Sequence, residues 1–342
     1  MDLFPRRLSP WLRIIAFLLG ISIVLAFGVQ YMINMPGKSY SGPLPPLKEE
    51  ENEIQTFLLK HIQILAGEIG ERNLWQYQAL QSSANYIERI FKSMGYEVFS
   101  QEYGVQGKKV KNIEVQLEGT HRPNEIVLIG AHYDSVRVSP GANDNATGTA
   151  AVLEIARLLF GQPNKRTVRF VAFVNEEPPF SMTQDMGSRV YANRSRELEE
   201  NIVAMFSIET IGYYDDAEGS QQYPFPFRYF YPSTANFIAF VGNVASKSLV
   251  YDSIDSFRRH TSFPSEGVAA PGWMTGIGWS DHQSFWREGY PALMVTDTAL
   301  FRYAQYHSQE DTPDKVNYPR TARVVAGLAR VVSEVANPPK KP

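Results

Sequence analysis

The 342-residue sequence contains no cysteine. Disulfides, thiolate-bound zinc and thiol nucleophiles are therefore excluded, and any metal must take nitrogen and oxygen ligands. An excess of basic charge is also missing. The 33 Lys and Arg stand against 36 Asp and Glu, a net charge of −3, so no nucleic-acid partner is expected. There is no internal repeat and no low-complexity block. What remains is ordinary for a globular protein, 44% hydrophobic and 20% charged, and long enough for one large domain or two modest ones.

Long uncharged runs are rare, and the one at Ile14–Ile33 stands out because only Ser22 and Gln30 interrupt it. About 20 apolar residues cross a bilayer as a helix. Arg6, Arg7 and Arg13, with the single acid Asp2, make residues 1–13 a basic segment expected to stay in the cytoplasm. The expectation is a single-pass membrane protein: residues 14–33 form a transmembrane signal-anchor within the lipid bilayer, and the body is periplasmic or extracellular. Ala26-Phe27-Gly28 leaves a cleaved signal peptide as the alternative, although the run is long for a signal core and continues past that site. Residues 34–48, rich in proline and glycine, read as a tether. The body then spans residues 49–337, with a tail at 338–342.

Within the body, apolar residues at helical spacing predict helices from residue 49, over 76–94 with Gly95 as the stop, and over 146–160, 187–196, 245–259 and 318–335. Apolar runs predict strands over 96–102, 112–117, 126–131, 168–174, 202–208, 237–241 and 290–296. Residues 213–232 have no period and read as a loop over the site. Strands alternating with helices imply an α/β fold: one three-layer domain, a mostly parallel mixed central sheet with helices on both faces, preceded by one transmembrane helix.

Three apolar strands end on groups that can bind metal. The first delivers His132 and Asp134, two apart and so on one side. A carboxylate there can hold the other nitrogen of the histidine. The second ends on Glu176-Glu177, whose side chains must diverge, so that one can bind metal while the other faces water. Solvated loop acids are the plain alternative. The third ends on Glu209. Asp144 lies in Gly141-Ala142-Asn143-Asp144-Asn145, a composition equally suited to a turn, and His307 lies in a polar loop. His61, His121 and His260 receive no role, and His282 beside Asp281 would cap or line the pocket. The full set suits zinc, with cobalt or manganese as substitutes.

His132-Tyr133-Asp134-Ser135, Gly141 to Gly148, Asn175-Glu176-Glu177, Met186-Gly187-Ser188 and Tyr306-His307 together resemble the co-catalytic zinc aminopeptidases, family twenty-eight of the metallopeptidases, over about residues 50–337. The resemblance implies two zinc ions, one held by His132 and Glu209 and the other by Glu177 and His307, with Asp144 bridging. It makes Asp134 the partner of His132, and Glu176 the general base that takes a proton from a bridging water and passes it to the leaving amine. Tyr306 becomes a donor to the developing oxyanion. Ser280-Asp281-His282 matches a stretch that lines the pocket. One departure is Glu209, where these enzymes often carry aspartate; the extra methylene bears on the spacing and occupancy of the metals.

The implied function is a membrane-anchored zinc exopeptidase that removes amino-terminal residues from peptides. The aromatic loop with Trp273 and Trp279 suits an apolar side chain. Two other functions fit the same fold: a glutaminyl cyclase-like acyltransferase with one zinc, and a receptor-type ectodomain without catalysis. Every expected ligand position is occupied by a competent side chain, which weighs against the ectodomain.

Overall fold

The computed structural model describes residues 10–339. Arg6 and Arg7 of the basic segment and residues 340–342 of the tail lie outside the described residues. In chain order the elements are α1 (Pro10–Ile33), α2 (Glu49–Ile62), α3 (Tyr77–Ser93), β1 (Phe99–Val105), β2 (Lys108–Leu117), β3 (Arg122–His132), α4 (Thr147–Leu159), β4 (Arg166–Phe173), α5 (Gly187–Glu197), β5 (Asn201–Glu209), β6 (Ile238–Gly242), α6 (Lys247–His260), β7 (Ser265–Ala269), α7 (His282–Arg287), β8 (Ala292–Thr296) and α8 (Tyr318–Ala336).

Local chemistry accounts for the element ends. Leu80, Ala84, Ile87 and Phe91 form the buried stripe of α3. Gly95 ends that helix with φ +97°; its N–H reaches the Lys92 carbonyl and that of Tyr96 reaches Phe91, the pattern that satisfies the last orphan carbonyls of a helix. β1 and β2 meet at Gln106 and Gly107, both with positive φ, which gives the twist of a two-residue hairpin turn. β1 therefore starts later than the predicted 96 and runs on to Val105, and β2 starts at Lys108, ahead of the predicted 112, and ends at 117 as expected. The sequence reading missed β7: Ser-Glu-Gly-Val-Ala is short, and its central glycine weakens the strand signal. Backbone pairing to β6 makes it a strand all the same.

The eight strands form one sheet in the order β1-β2-β4-β3-β5-β8-β6-β7. β4, β3, β5 and β8 run parallel, as do β6 and β7, while β1, β2 and the β6/β8 pairing are antiparallel. Side chains alternate between the faces. Val127, Ile129 and Ala131 of β3 join the core beneath α2, α3, α4, α6 and α8. Ile126 and Leu128 face the smaller core of α5 and α7. Each fully buried Ile or Leu stabilises the fold by roughly 1.5–3 kcal/mol. Gly130 has to lack a side chain, because a Cβ would lie 2.3 Å from the Phe173 ring. With four parallel strands side by side, their carboxyl ends share one edge, which is where ligands bind in open α/β sheets.

α1 is exposed, and its Ile14–Ile33 segment has a mean hydropathy of 2.3, so by length and composition it could cross a membrane. Residues 34–48 have no helix or strand until α2 is reached, yet they lie against the body. Arg258 donates to the Pro36 carbonyl at 2.6 Å, the Ser265 N–H to Ser39 Oγ at 2.9 Å, and Arg323 to the Pro45 carbonyl.

Candidate metal centre

β3 ends on His132, which is fully buried. Its Nε2 lies 3.3 Å from Asp144 Oδ1 and 3.3 Å from Glu209 Oε2. On the other side of Asp144, His307 Nε2 lies 3.0 Å from Oδ2 and 3.1 Å from Glu177 Oε2. The structure thus brings together two groups, His132–Asp144–Glu209 and Asp144–Glu177–His307, with ligand atoms in each within 4.8 Å of one another. Asp144 offers one oxygen to each group.

These contacts are at ion-pair distance, but His132 Nε2, Asp144 Oδ2 and His307 Nε2 have no hydrogen-bond partner. Buried polar atoms are normally paired. Three orphans facing the same space fit a cation between them. Two atoms each about 2.1 Å from a tetrahedral zinc stand about 3.4 Å apart, close to the distances seen. The donor set of imidazole and carboxylate is the one zinc takes when thiolates are missing.

The electrostatics fit as well. Burial pushes the Glu177 carboxyl up to about 8, with Asp144 adding to the rise. Burial also raises Glu176 well above the usual carboxylate range and raises Glu209, which His132 opposes. For His307 burial works downward, but Asp144 and Glu177 outweigh it and lift the ring to about 10. A group of acids crowded into a dry site disfavours its own charge, and bound cations relieve that.

Hydrogen bonds hold His132, Glu177 and Glu209 in place. Asp134 accepts the N–H groups of Glu176 at 3.2 Å and Glu177 at 3.3 Å, which ties the end of β4 to that of β3. Its carboxylate is 3.6 Å from His132 Nδ1, while its own carbonyl oxygen is nearer, at 3.2 Å. Asp134 thus faces the Nδ1 side of His132 with both its carbonyl and its carboxylate. The Val136 N–H holds the second oxygen of Glu177 at 3.0 Å, and Ser280 Oγ donates to Glu209 Oε2 at 2.7 Å. Glu176 is buried, with Oε2 3.9 Å from His132 Nε2. The Tyr306 ring stacks on His307 at 3.9 Å, and its hydroxyl stays protonated because burial raises its pKa, as does Asp144.

Several residues that complete the site were not singled out from the sequence. Asp311 accepts the N–H of Asn143 at 2.8 Å and of Asp144 at 3.0 Å. Arg72 is fully buried and donates to the carbonyls of Tyr133 and Gly141, each at 2.7 Å, so it spans the loops carrying His132 and Asp144. Asn145 donates to the Ile208 carbonyl at 2.8 Å and accepts from the Thr210 N–H at 3.1 Å, joining the Asp144 loop to the end of β5. The two asparagines beside Asp144 were the available signal, and turn composition concealed it. A lone Arg and a lone Asp offer no local signal.

His282 does not line the site; it is buried and bonded to the Ile277 carbonyl at 2.8 Å. Asp281 is buried with neither oxygen hydrogen-bonded. Beside the two groups opens a cleft lined by Glu209 and Tyr306 and walled by Phe227, Tyr231, Phe237 and Met294. Trp279 borders it, whereas Trp273 is 84% exposed and outside the cleft.

Residues 112–332 match the model of Peptidase family M28. Uncharacterized protein YfbL of Escherichia coli is 36% identical over 319 residues, covering 90% of this chain and 97% of that protein. Aminopeptidase YwaD of Bacillus subtilis is 27% identical over 254 residues, 69% of this chain and 45% of its own length, so the chain spans less than half of that relative. Among solved structures, a zinc aminopeptidase from Bacillus subtilis has the same fold, with a TM-score of 0.68 at 16% identity over 84% of this chain and 96% of that one.

Proposed function

Because the chain belongs to peptidase family M28, we propose that it is a zinc aminopeptidase, anchored by α1, that hydrolyses amino-terminal peptide bonds. The observation that carries this reading is Asp144, whose two oxygens face two separate histidines at 3.3 and 3.0 Å. In this reading His132, Asp144 and Glu209 hold one zinc, and Asp144, Glu177 and His307 the other. Bound zinc supplies Lewis-acid polarisation of the scissile carbonyl and makes a water easier to deprotonate.

The chain's own residues do the rest. Glu176 belongs to neither ligand group, and its Oε2 lies 3.9 Å from His132 Nε2. As general base it accepts the proton of the attacking water and returns it to the leaving amine. Burial raises its pKa. The Tyr306 hydroxyl donates to the oxyanion as it forms. The cleft beside Glu209 takes the side chain of the amino-terminal residue, and its aromatic and aliphatic walls favour an apolar one. A panel of amino-acid anilides checks this: faster release of leucine and phenylalanine is expected, and a preference for acidic residues overturns it.

For the anchor, the support is the exposed 20-residue apolar span with Arg6 and Arg7 before it. The amino terminus is then cytoplasmic and the body lies on the far side of the membrane.

The deciding experiment pairs elemental analysis of the purified protein with turnover by Glu176→Gln. That variant is expected to keep two zinc ions per chain and to lose about 10²–10⁴-fold in kcat, the range that general base catalysis contributes. Retained turnover removes Glu176 as the base. One zinc together with cyclisation of an amino-terminal glutamine turns the assignment to a cyclase.

A further inference from the structure

The end of α1 does not leave the body freely. Lys247 Nζ sits 3.9 Å from the Tyr31 ring centroid and donates to the Tyr31 carbonyl. Met32 packs into the cluster of Phe227, Phe237, Val268 and Ile277. Met35 lies against Gly267 of β7, where an added Cβ would come within 3.0 Å of its Cγ. The anchor thus emerges at the β6–β7 edge of the sheet.

Two loops that build the same cluster also carry large exposed rings. Residues 223–232, Tyr-Pro-Phe-Pro-Phe-Arg-Tyr-Phe-Tyr-Pro, contain no acid. Phe227 of this loop is in the cluster and Tyr223 and Tyr231 pack on it, while Phe225 is 78% and Tyr229 62% exposed. Met274 packs on it from the second loop, whose Trp273 is 84% exposed. Phe225 and Tyr229 stack edge to face at 6.3 Å, with the Arg228 guanidinium 4.8 Å from the Tyr229 ring. Neither Phe225, Tyr229 nor Trp273 lines the cleft, so the substrate pocket does not account for them. Exposed Trp and Tyr rings, with a cation and no acid, match the composition found at membrane–water interfaces, where an amphipathic ring sits at headgroup level.

We propose that loop 223–232 and Trp273 form a second contact with the bilayer that α1 spans, seating the β6–β7 edge of the body against the lipid headgroups. This rests on the anchoring role given to α1 above. It makes the body a fixed attachment with one edge on the membrane, in place of a domain swinging on a tether.

The absence of cysteine gives a direct test on the full chain. Single substitutions Phe225→Cys, Trp273→Cys, Phe99→Cys and Phe17→Cys are each labelled with an environment-sensitive NBD fluorophore and reconstituted into vesicles of phosphatidylcholine and phosphatidylglycerol. Phe99 lies on β1, at the opposite edge of the sheet, and Phe17 lies within α1. The expected result is blue-shifted emission at 225 and 273 that is quenched by lipid carrying a doxyl group near the headgroup, with 99 unquenched. Labels at 225 and 273 that respond no more than 99, while 17 is quenched by doxyl groups deep in the acyl chain, overturn the surface contact and leave the anchor standing. No quenching at 17, with the protein absent from the vesicle fraction, removes the anchor and the contact together.

Discussion

The Asp311→Asn substitution tests whether Asp144, proposed to bridge two zinc ions, is positioned through its own backbone. Asp311 is fully buried. One of its oxygens accepts the Asn143 N–H at 2.8 Å and the Tyr303 hydroxyl at 2.9 Å, and the other accepts the Asp144 N–H at 3.0 Å. An amide has the same shape but only one acceptor, so one of the two backbone N–H groups is left facing an NH₂. A buried donor without a partner costs roughly 1–3 kcal/mol. Relief must come from movement of the 142–146 loop, which displaces the Asp144 carboxylate from both histidines. The expected outcome is a lower melting temperature for the zinc-loaded protein and a roughly 10–100-fold weaker zinc affinity, the usual penalty for losing a group that orients a ligand. Zinc affinity is read by competition with a chromophoric chelator. An unchanged affinity in a variant that melts lower would show that Asp311 supports the fold and not the ligand, refuting the reasoning.

Two further outcomes follow from the same geometry. In the chelated protein Glu177 titrates near 8 and His307 near 10, both above their unfolded values of about 4.3 and 6.5. Each therefore contributes stability at low pH that is lost as pH rises, Glu177 through about 8 and His307 through about 10. The melting temperature with chelator should fall between about pH 5 and pH 9, and the increment from added zinc should grow over that window because ligands bind metal deprotonated; a rise with pH in chelator contradicts this. Gly148→Ala places a Cβ 2.3 Å from the Ile208 carbonyl and from Asn145 Oδ1, where backbone cannot yield, so a loss of about 1–3 kcal/mol is expected. Thermal melts measure it, and an unchanged midpoint contradicts the packing argument.

Much of the architecture could be read along the chain because it is local. The apolar runs behind β3, β4, β5 and β8, the helical stripe of α3 and the stop at Gly95 each depend on spacing within one element. So does the placing of His132 and Glu209 at the ends of β3 and β5 and of Glu176-Glu177 just past the end of β4. The long uncharged stretch of α1 is likewise a property of composition. Motif order was enough to point to the family.

Tertiary structure decided what local spacing cannot carry. Asp144 and His307 come together across 163 residues of chain (307 − 144), and only parallel pairing of β3, β4, β5 and β8 brings their loops to one edge. Which oxygen of Asp144 meets which histidine depends on a loop clamped by Asp311, Arg72 and Asn145, residues that are unremarkable in their own surroundings. β7, too short to announce itself, exists because β6 supplies a partner. The course of residues 34–48 along the body rests on hydrogen bonds to Arg258, Ser265 and Arg323, more than 200 positions away. A periodic pattern records which face of an element is buried, whereas a site is made of distances between elements, and those arise only when the sheet has assembled.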